Sequence, residues 1–230
     1  FIGDLTSIFA HEVRNPINNI YTGLQLMERR LDEDDPNHQV IKKMQDDFNR
    51  LNHLMDSLLS YSRPMHRSDE VDINALIRKI LIRWRPRMIK QKISPFFQSD
   101  GKPAIIEGDQ RALEQVFINL ISNALDAMSS NGGTLAIHIN NLQGAPARPQ
   151  IEVSITDNGP GIPDEFKDRI FEPFITNKPR GTGLGLAITK QIVTAHKGTV
   201  SVSTFPGGTV FHVYLPAITE KMHEWDNTDR

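Results

Sequence analysis

Ala10-His11-Glu12-Val13-Arg14-Asn15-Pro16 sets an imidazole, a carboxylate, an amide and a proline within two helical turns of one another. The apolar residues around it, Ile2, Leu5, Phe9, Val13, Ile17, Ile20, Leu24, Met27 and Leu31, step by three and four. That period predicts one stripe on a long amphipathic helix over residues 1–31. His11 lies two positions before Val13, so it projects roughly 200° away from the stripe and is displayed on the outside of the helix. Pro16 cannot donate to the Glu12 carbonyl, and its ring pushes that turn apart, so a kink is expected beside the histidine. A kink costs stability, which favours a functional reason for it. On these residues alone, an ordinary surface histidine beside a tolerated proline is an equally simple reading.

Working outward, Asp32-Glu33-Asp34-Asp35-Pro36 is a polar turn whose proline suits the opening of a second helix. That helix carries Ile41, Met44, Phe48, Leu51, Met55 and Leu58, again at three and four. Two long helices and a short turn make an antiparallel hairpin over residues 1–63. Each helix has one narrow apolar stripe, and a lone hairpin encloses no core. Two copies paired as a four-helix bundle solve this, so a homodimer through the hairpin is expected.

Arg63-Pro64 ends the hairpin, and residues 64–70 read as a linker. Beyond it, Ile73 to Trp84 reads as helix, Ala104 to Glu107 as a short strand, and Asp109 to Met128 as a strong helix. Thr134–Ile139 and Ile151–Thr156 read as strands, with Pro146 and Pro149 in a loop between them. Residues 157–185 are irregular and rich in glycine. Leu186 to His196 is helical, and Gly198–Ser203 and Thr209–Leu215 flank the hairpin signal Phe205-Pro206-Gly207-Gly208. Strands and helices without strict alternation predict an α+β sandwich over residues 71–216. Residues 217–230 lack apolar periodicity and are expected to be a mobile tail.

Composition narrows the function classes. With 38% apolar and 23% charged residues, the chain reads as folded and globular. Its 26 basic and 28 acidic residues leave a net charge of −2, without the basic field that a nucleic acid demands. There is no cysteine, which excludes disulfides and thiolate metal sites and is compatible with a reducing compartment. No apolar run approaches the roughly 18 residues of a membrane span, and no signal peptide is visible. Phe1 already falls in a helical pattern, as expected for a piece of a longer protein. Membrane attachment is then expected only through upstream segments, with this portion cytoplasmic.

Three stretches point to a nucleotide. Asn119 and Asn123 are four apart and share a helix face, with Asp126 one turn further. Amide oxygens are hard ligands suited to a Mg²⁺ that keeps water and phosphate oxygens as its other partners. In isolation, two amides on a solvated face is the simpler reading. Asp157-Asn158-Gly159-Pro160-Gly161 follows directly on a strand. A carboxylate there can accept a hydrogen bond from an exocyclic amine such as that of adenine, and the glycines admit a ligand close to backbone. The same residues are also plain turn chemistry. Gly181-Thr182-Gly183-Leu184-Gly185-Leu186 opens a helix, where successive N–H groups and the helix dipole favour phosphate. Its spacing matches neither a P-loop nor a dinucleotide fingerprint. Phe171-Glu172-Pro173-Phe174 and the polar run Ile175 to Arg180 lie between the two glycine stretches. They read as a flap whose Lys178 or Arg180 reaches phosphate, with Phe171 and Phe174 expected to pack in the core.

In this order, the motifs resemble the catalytic core of two-component sensor histidine kinases. His11 to Pro16 resembles the phosphoacceptor box, and Asn119-x3-Asn123-Ala124-x-Asp126 the N box. Asp157-x-Gly159-x-Gly161 is similar to the first glycine box, Phe171-x-x-Phe174 to the F box, and Gly181-x-Gly183-x-Gly185 to the second glycine box. Ala10 stands where many members have serine. The resemblance implies a phosphotransfer hairpin followed by an ATP-binding sandwich of the gyrase, chaperone and MutL ATPase superfamily. It implies ATP as donor, His11 as nucleophile, Mg²⁺ on Asn123, adenine on Asp157, and a response-regulator receiver domain as partner. Glu12 would orient the imidazole and take its proton, and Asn15 would serve phosphatase action on the regulator. Two rivals stand beside it: an ATPase or protein-serine kinase of the same superfamily, and a non-enzymatic adaptor dimer.

Overall fold

The computed structural model describes residues 16–31, 35–45, 47–48, 69–142, 149–178 and 181–218. The chain divides into two compact units, one made of Phe1–Pro64 and Pro173–Gly185, the other of Met65–Glu172 and Leu186–Arg230.

In the first unit, helix α1 covers residues 16–28 and helix α2 residues 37–48, with position 46 outside the described residues. Asp35 accepts the Asn37 N–H at 2.8 Å at the start of α2, an N-terminal cap of the expected chemistry. Gln45 donates to Glu28 across the hairpin at 2.7 Å. Ile17, Leu24 and Ile41 are buried, but Ile20, Met27 and Met44 of the same stripes are 51%, 59% and 47% exposed. His11, Glu12 and Asn15, and with them the expected kink, lie outside the described residues.

The second unit runs β1 (Asp69–Asp72), α3 (Ile73–Lys90), β2 (Ile93–Ser99), β3 (Ile105–Gly108), α4 (Gln110–Ala127), β4 (Gly133–Leu142), β5 (Gln150–Asp157) and α5 (Asp164–Lys167). It continues with β6 (Thr199–Phe205) and β7 (Gly208–Pro216), and α6 (Gly185–Ala195) leads into them. Five strands form a sheet in the order β2-β4-β5-β7-β6, and β1 pairs with β3 in a separate ribbon. The β2–β4 pair is parallel, while the other neighbours in the sheet are antiparallel. This is the α+β sandwich that the strand and helix runs imply.

Alternation builds the core. Leu135, Ile137 and Ile139 on β4, Ile151, Val153 and Ile155 on β5, and Phe211, Val213 and Leu215 on β7 are all buried. Their neighbours His138, Glu152, Ser154, His212 and Tyr214 occupy the other face and remain partly exposed. There, Glu152 accepts from His212 Nδ1 at 2.9 Å and Tyr214 Oη at 3.1 Å. Helix α4 presents Leu113, Val116, Phe117, Leu120, Ile121, Ala124 and Leu125 as one buried stripe. It starts where the sequence places it, because the Asp109 carboxylate accepts the Arg111 and Ala112 N–H groups at 2.8 and 3.1 Å.

The structure departs from the sequence expectations in four places. Asp69 and Glu70, read as the end of the linker, open β1 and pair with Gly108 and Glu107. Helix α3 continues past Trp84 to Lys90 with Pro86 inside it. Burial of Met88 beyond the proline, at 1% exposure, outweighs the lost backbone bond. Strand β2 carried no expectation, because Ser94, Pro95 and Phe96 are exposed in a row and give no alternation. It lies at the edge of the sheet, where a proline is tolerated. Finally, Ala217 and Ile218 of the expected tail donate to Pro149 and Ile105 carbonyls at 2.9 and 3.0 Å. Among the described residues, no helix is long and apolar enough to cross a membrane.

Candidate functional site

Asp157 ends β5 with its side chain on the buried face, 3% exposed. Its Oδ1 accepts the Gly159 N–H at 2.9 Å, and the Thr209 backbone N–H is a second donor. Burial pushes the carboxyl above the usual aspartate range, and these two donors pull it back only in part. A buried acidic acceptor with unspent lone pairs suits a ligand that donates from a flat apolar body.

The turn after Asp157 is shaped for close approach. A Cβ on Gly159 would lie 2.9 Å from Asp157 Oδ1 and 3.0 Å from Ala127 Cβ, so glycine lets the turn lie against the end of α4. Gly161 has φ +83°, and a Cβ there would meet Thr204 Oγ1 at 2.8 Å. Ile162 N–H donates to the same Thr204 hydroxyl at 3.1 Å, which anchors the turn to β6. Asn158, which the sequence offers only as turn chemistry, accepts the Thr134 N–H at 2.7 Å and pins the turn to the start of β4. Thr209 and Asn158 were hidden because both contacts join segments far apart in the chain.

On α4, Asn119 and Asn123 sit on the polar margin of the buried stripe, each half-buried and each already engaged by a partner. Asp126 is committed elsewhere. Arg87 Nη2 reaches its Oδ1 at 2.5 Å, and the same guanidinium lies 5.1 Å from the centre of the Trp84 ring. The ion pair ties the end of α3 to the end of α4. Both partners are about one-third exposed, so water screens them; Asp126→Asn should cost about 1 kcal/mol of stability. Nucleotide affinity should stay within about twofold of the parent's, since about 0.4 kcal/mol is all that this allows. Thermal melts and calorimetric titration with ADP check both halves of this expectation.

Among the described residues, no group of three or more His, Asp or Glu side chains is placed to hold a metal ion. A cation here would therefore depend on an amide oxygen together with phosphate and water oxygens, a donor set that suits Mg²⁺.

The second glycine stretch belongs to the other unit and folds on itself. Phe174 N–H donates to the Gly183 carbonyl at 2.9 Å. Gly183 has φ +68°, and a Cβ there would come within 2.6 Å of Phe174 Cα. A Cβ on Gly181 would collide with Thr176 Oγ1. Thr182 Oγ1 accepts the Leu184 N–H at 3.4 Å, and Leu184 is buried. Lys178 is half-buried, and Arg180 lies outside the described residues. Phe174 corrects the expectation that it packs in the core. It adopts φ +68° and is 67% exposed, because its backbone is committed to closing the loop. Phe171 is half-buried, with Lys190 Nζ 5.9 Å from its ring centre.

Two families match different stretches of the chain. Residues 108–219 match the family described as histidine kinase-, DNA gyrase B- and HSP90-like ATPase, and residues 2–67 match the His kinase A (phospho-acceptor) domain. The chain is 34% identical over 218 residues to the signal transduction histidine-protein kinase AtoS of Escherichia coli K12, covering 94% of this chain and 35% of AtoS. It is 32% identical over 222 residues to the sensory histidine kinase/phosphatase NtrB of Vibrio alginolyticus, covering 91% of this chain and 61% of NtrB. The chain thus spans about a third to three-fifths of the length of these curated relatives. The crystal structure of the catalytic domain of histidine kinase ThkA aligns with a TM-score of 0.60 at 33% identity, over 66% of this chain and 97% of that domain. ThkA in complex with the response regulator TrrA aligns with a TM-score of 0.68 at 30% identity, over 96% of this chain and 63% of that one.

Proposed function

Because the chain belongs to the sensor histidine kinase family, we propose that it binds ATP through residues 71–216 and phosphorylates His11. From there the phosphoryl group passes to an aspartate of a response-regulator receiver domain. The observation that carries the reading is Asp157, a buried carboxylate at a strand end followed by a tight glycine turn packed against α4 and β6.

Each residue then has a task. Asp157 accepts the exocyclic amine of adenine, and Gly159 and Gly161 admit the base against backbone. Lys178, Arg180 and the N–H groups of Gly181 to Gly185 hold the phosphates. One ring nitrogen of His11 attacks the γ-phosphorus; the bond to the bridging oxygen breaks, and ADP leaves with that electron pair. Glu12 orients the imidazole and takes the proton from its other nitrogen. Asn123 would hold Mg²⁺, which would supply positive charge to the phosphate oxygens when bound.

The exposed parts of the α1 and α2 stripes support a homodimer through the hairpin, since Ile20, Met27 and Met44 lack cover in a single chain. The ThkA–TrrA complex supports a receiver domain as the partner. The name of NtrB supports phosphatase action, for which Asn15, in the same sequence motif as His11, would position water. A cytoplasmic site of action follows from this reading, with any membrane attachment supplied by segments outside this chain. An ATPase or serine kinase would use the same sandwich and leave His11-Glu12 without a task.

Asn123→Ala tests the metal assignment. Titration with ADP should show the Mg²⁺-dependent gain in affinity lost, and autophosphorylation should fall by more than about 100-fold, the scale of one removed transition-state ligand. Autophosphorylation at the parent rate would refute it.

A further inference from the structure

His196 is one of four polar side chains among the described residues that are buried, at 6% exposure, and the proposed chemistry gives it no part. It lies just past the end of α6. Its two ring nitrogens face opposite partners: Nδ1 is 2.8 Å from the Ile192 carbonyl, and Nε2 is 3.0 Å from the Asp109 backbone N–H. A carbonyl only accepts and an N–H only donates, so Nδ1 carries the proton and Nε2 presents its lone pair.

Asp109 is the residue that caps α4. In a self-contained capping box, the third helical residue is Glu or Gln and reaches back to the capping residue's own N–H. Here that position is Ala112, which has no acceptor. Asp109 satisfies two N–H groups of α4 with its carboxylate, and its own N–H is satisfied by a ring from another helix. Space for that ring comes from Gly108: a Cβ there would lie 2.5 Å from His196 Cδ2 and 2.7 Å from Nε2. Gly108 has no positive φ, so its glycine is explained by the ring and not by backbone strain.

We propose that His196 is a positioning residue for the nucleotide site, completing the cap of α4 from the end of α6 and so fixing the two helices against each other. The inference rests on the nucleotide reading above. Helix α4 carries Asn119 and Asn123. The cap sits at the first turn of the helix that carries both amides, so slack there shifts their side chains, and a misplacement of about 1 Å is enough to weaken a ligand contact.

The test is calorimetric titration of the whole chain with Mg-ADP, alongside thermal melts, for four variants. His196→Phe keeps the bulk and removes the acceptor, and Gly108→Ala pushes the ring off Asp109. His196→Gln puts an amide oxygen close to the place of Nε2. Ile139→Val, under the sheet and away from both helix ends, controls for lost stability. His196→Phe and Gly108→Ala should each weaken binding about tenfold, with His196→Gln restored to within about threefold of the parent, as for one buried acceptor. Ile139→Val should bind like the parent despite a lower Tm. Parent-like binding in His196→Phe and Gly108→Ala would overturn the inference, as would equal weakening in Ile139→Val. If His196→Phe fails to fold, Gly108→Ala and His196→Gln decide alone. A parent chain that binds no Mg-ADP would instead bring down the nucleotide reading, and this inference with it.

Discussion

Asp157→Asn should lower ATP and ADP affinity by about 100-fold while leaving the fold as stable as the parent or more so. The asparagine Oδ1 can still accept from the Gly159 N–H, so the turn survives. Its NH₂ then points a donor at the adenine amine, where the carboxylate had offered an acceptor. The stability half follows from burial, which raises the Asp157 carboxyl above its ordinary range. The folded chain therefore holds a proton there more tightly than the unfolded chain does. Stability from this group is fully present below the unfolded carboxyl range and lost as pH rises through the raised value. Near neutrality the parent buries an ionised group at a cost, which asparagine removes; in acid the difference should vanish. Parent affinity should also fade as pH drops through the raised value, because the protonated carboxyl loses its acceptor character. Calorimetry and melts in neutral and acid buffer measure all three. An Asp157→Asn chain that binds ADP like the parent contradicts the adenine assignment, and one that unfolds contradicts the stated role of the burial.

His11→Gln should abolish phosphorylation of the chain, with no label above background and ADP affinity unchanged. Glutamine is a polar side chain of similar reach, so the substitution preserves the fold. Its amide nitrogen has no available lone pair, so no phosphorus–nitrogen bond forms. The separation of binding from transfer is the informative part. The nucleotide assignment uses no residue of the hairpin, so removing the acceptor leaves it intact. Residual label in His11→Gln would place the acceptor elsewhere, and lost ADP binding would signal damage beyond the hairpin.

What the sequence discloses here depends on how local each determinant is. Helix α4 was legible to its ends, because Asp109 caps it through the next three residues and its buried stripe repeats within the helix. The turn at Asp157 was legible for the same reason: strand, carboxylate and glycines are consecutive. Strand β2 was not, because an edge strand pairs on one side only and its exposed Ser94, Pro95 and Phe96 carry no period. Phe174 misleads, since an aromatic in a proline-containing loop reads as a core anchor, and only the bond to Gly183 shows its backbone closing a loop. Asp126 shares the face of Asn119 and Asn123 by spacing, yet Arg87, 39 positions earlier, claims its carboxylate. His196 is the furthest case: its partner lies 87 positions away, and a histidine at a helix end announces nothing about the N–H it will meet.

The most direct test is to phosphorylate the chain with ATP labelled in the γ-phosphate and Mg²⁺, then challenge the product with acid and with alkali and map the labelled peptide. The account predicts a label lost in acid, retained in alkali, and located on His11. An acid-stable label on serine or threonine, or hydrolysis of ATP with no phosphate on the protein, would contradict it.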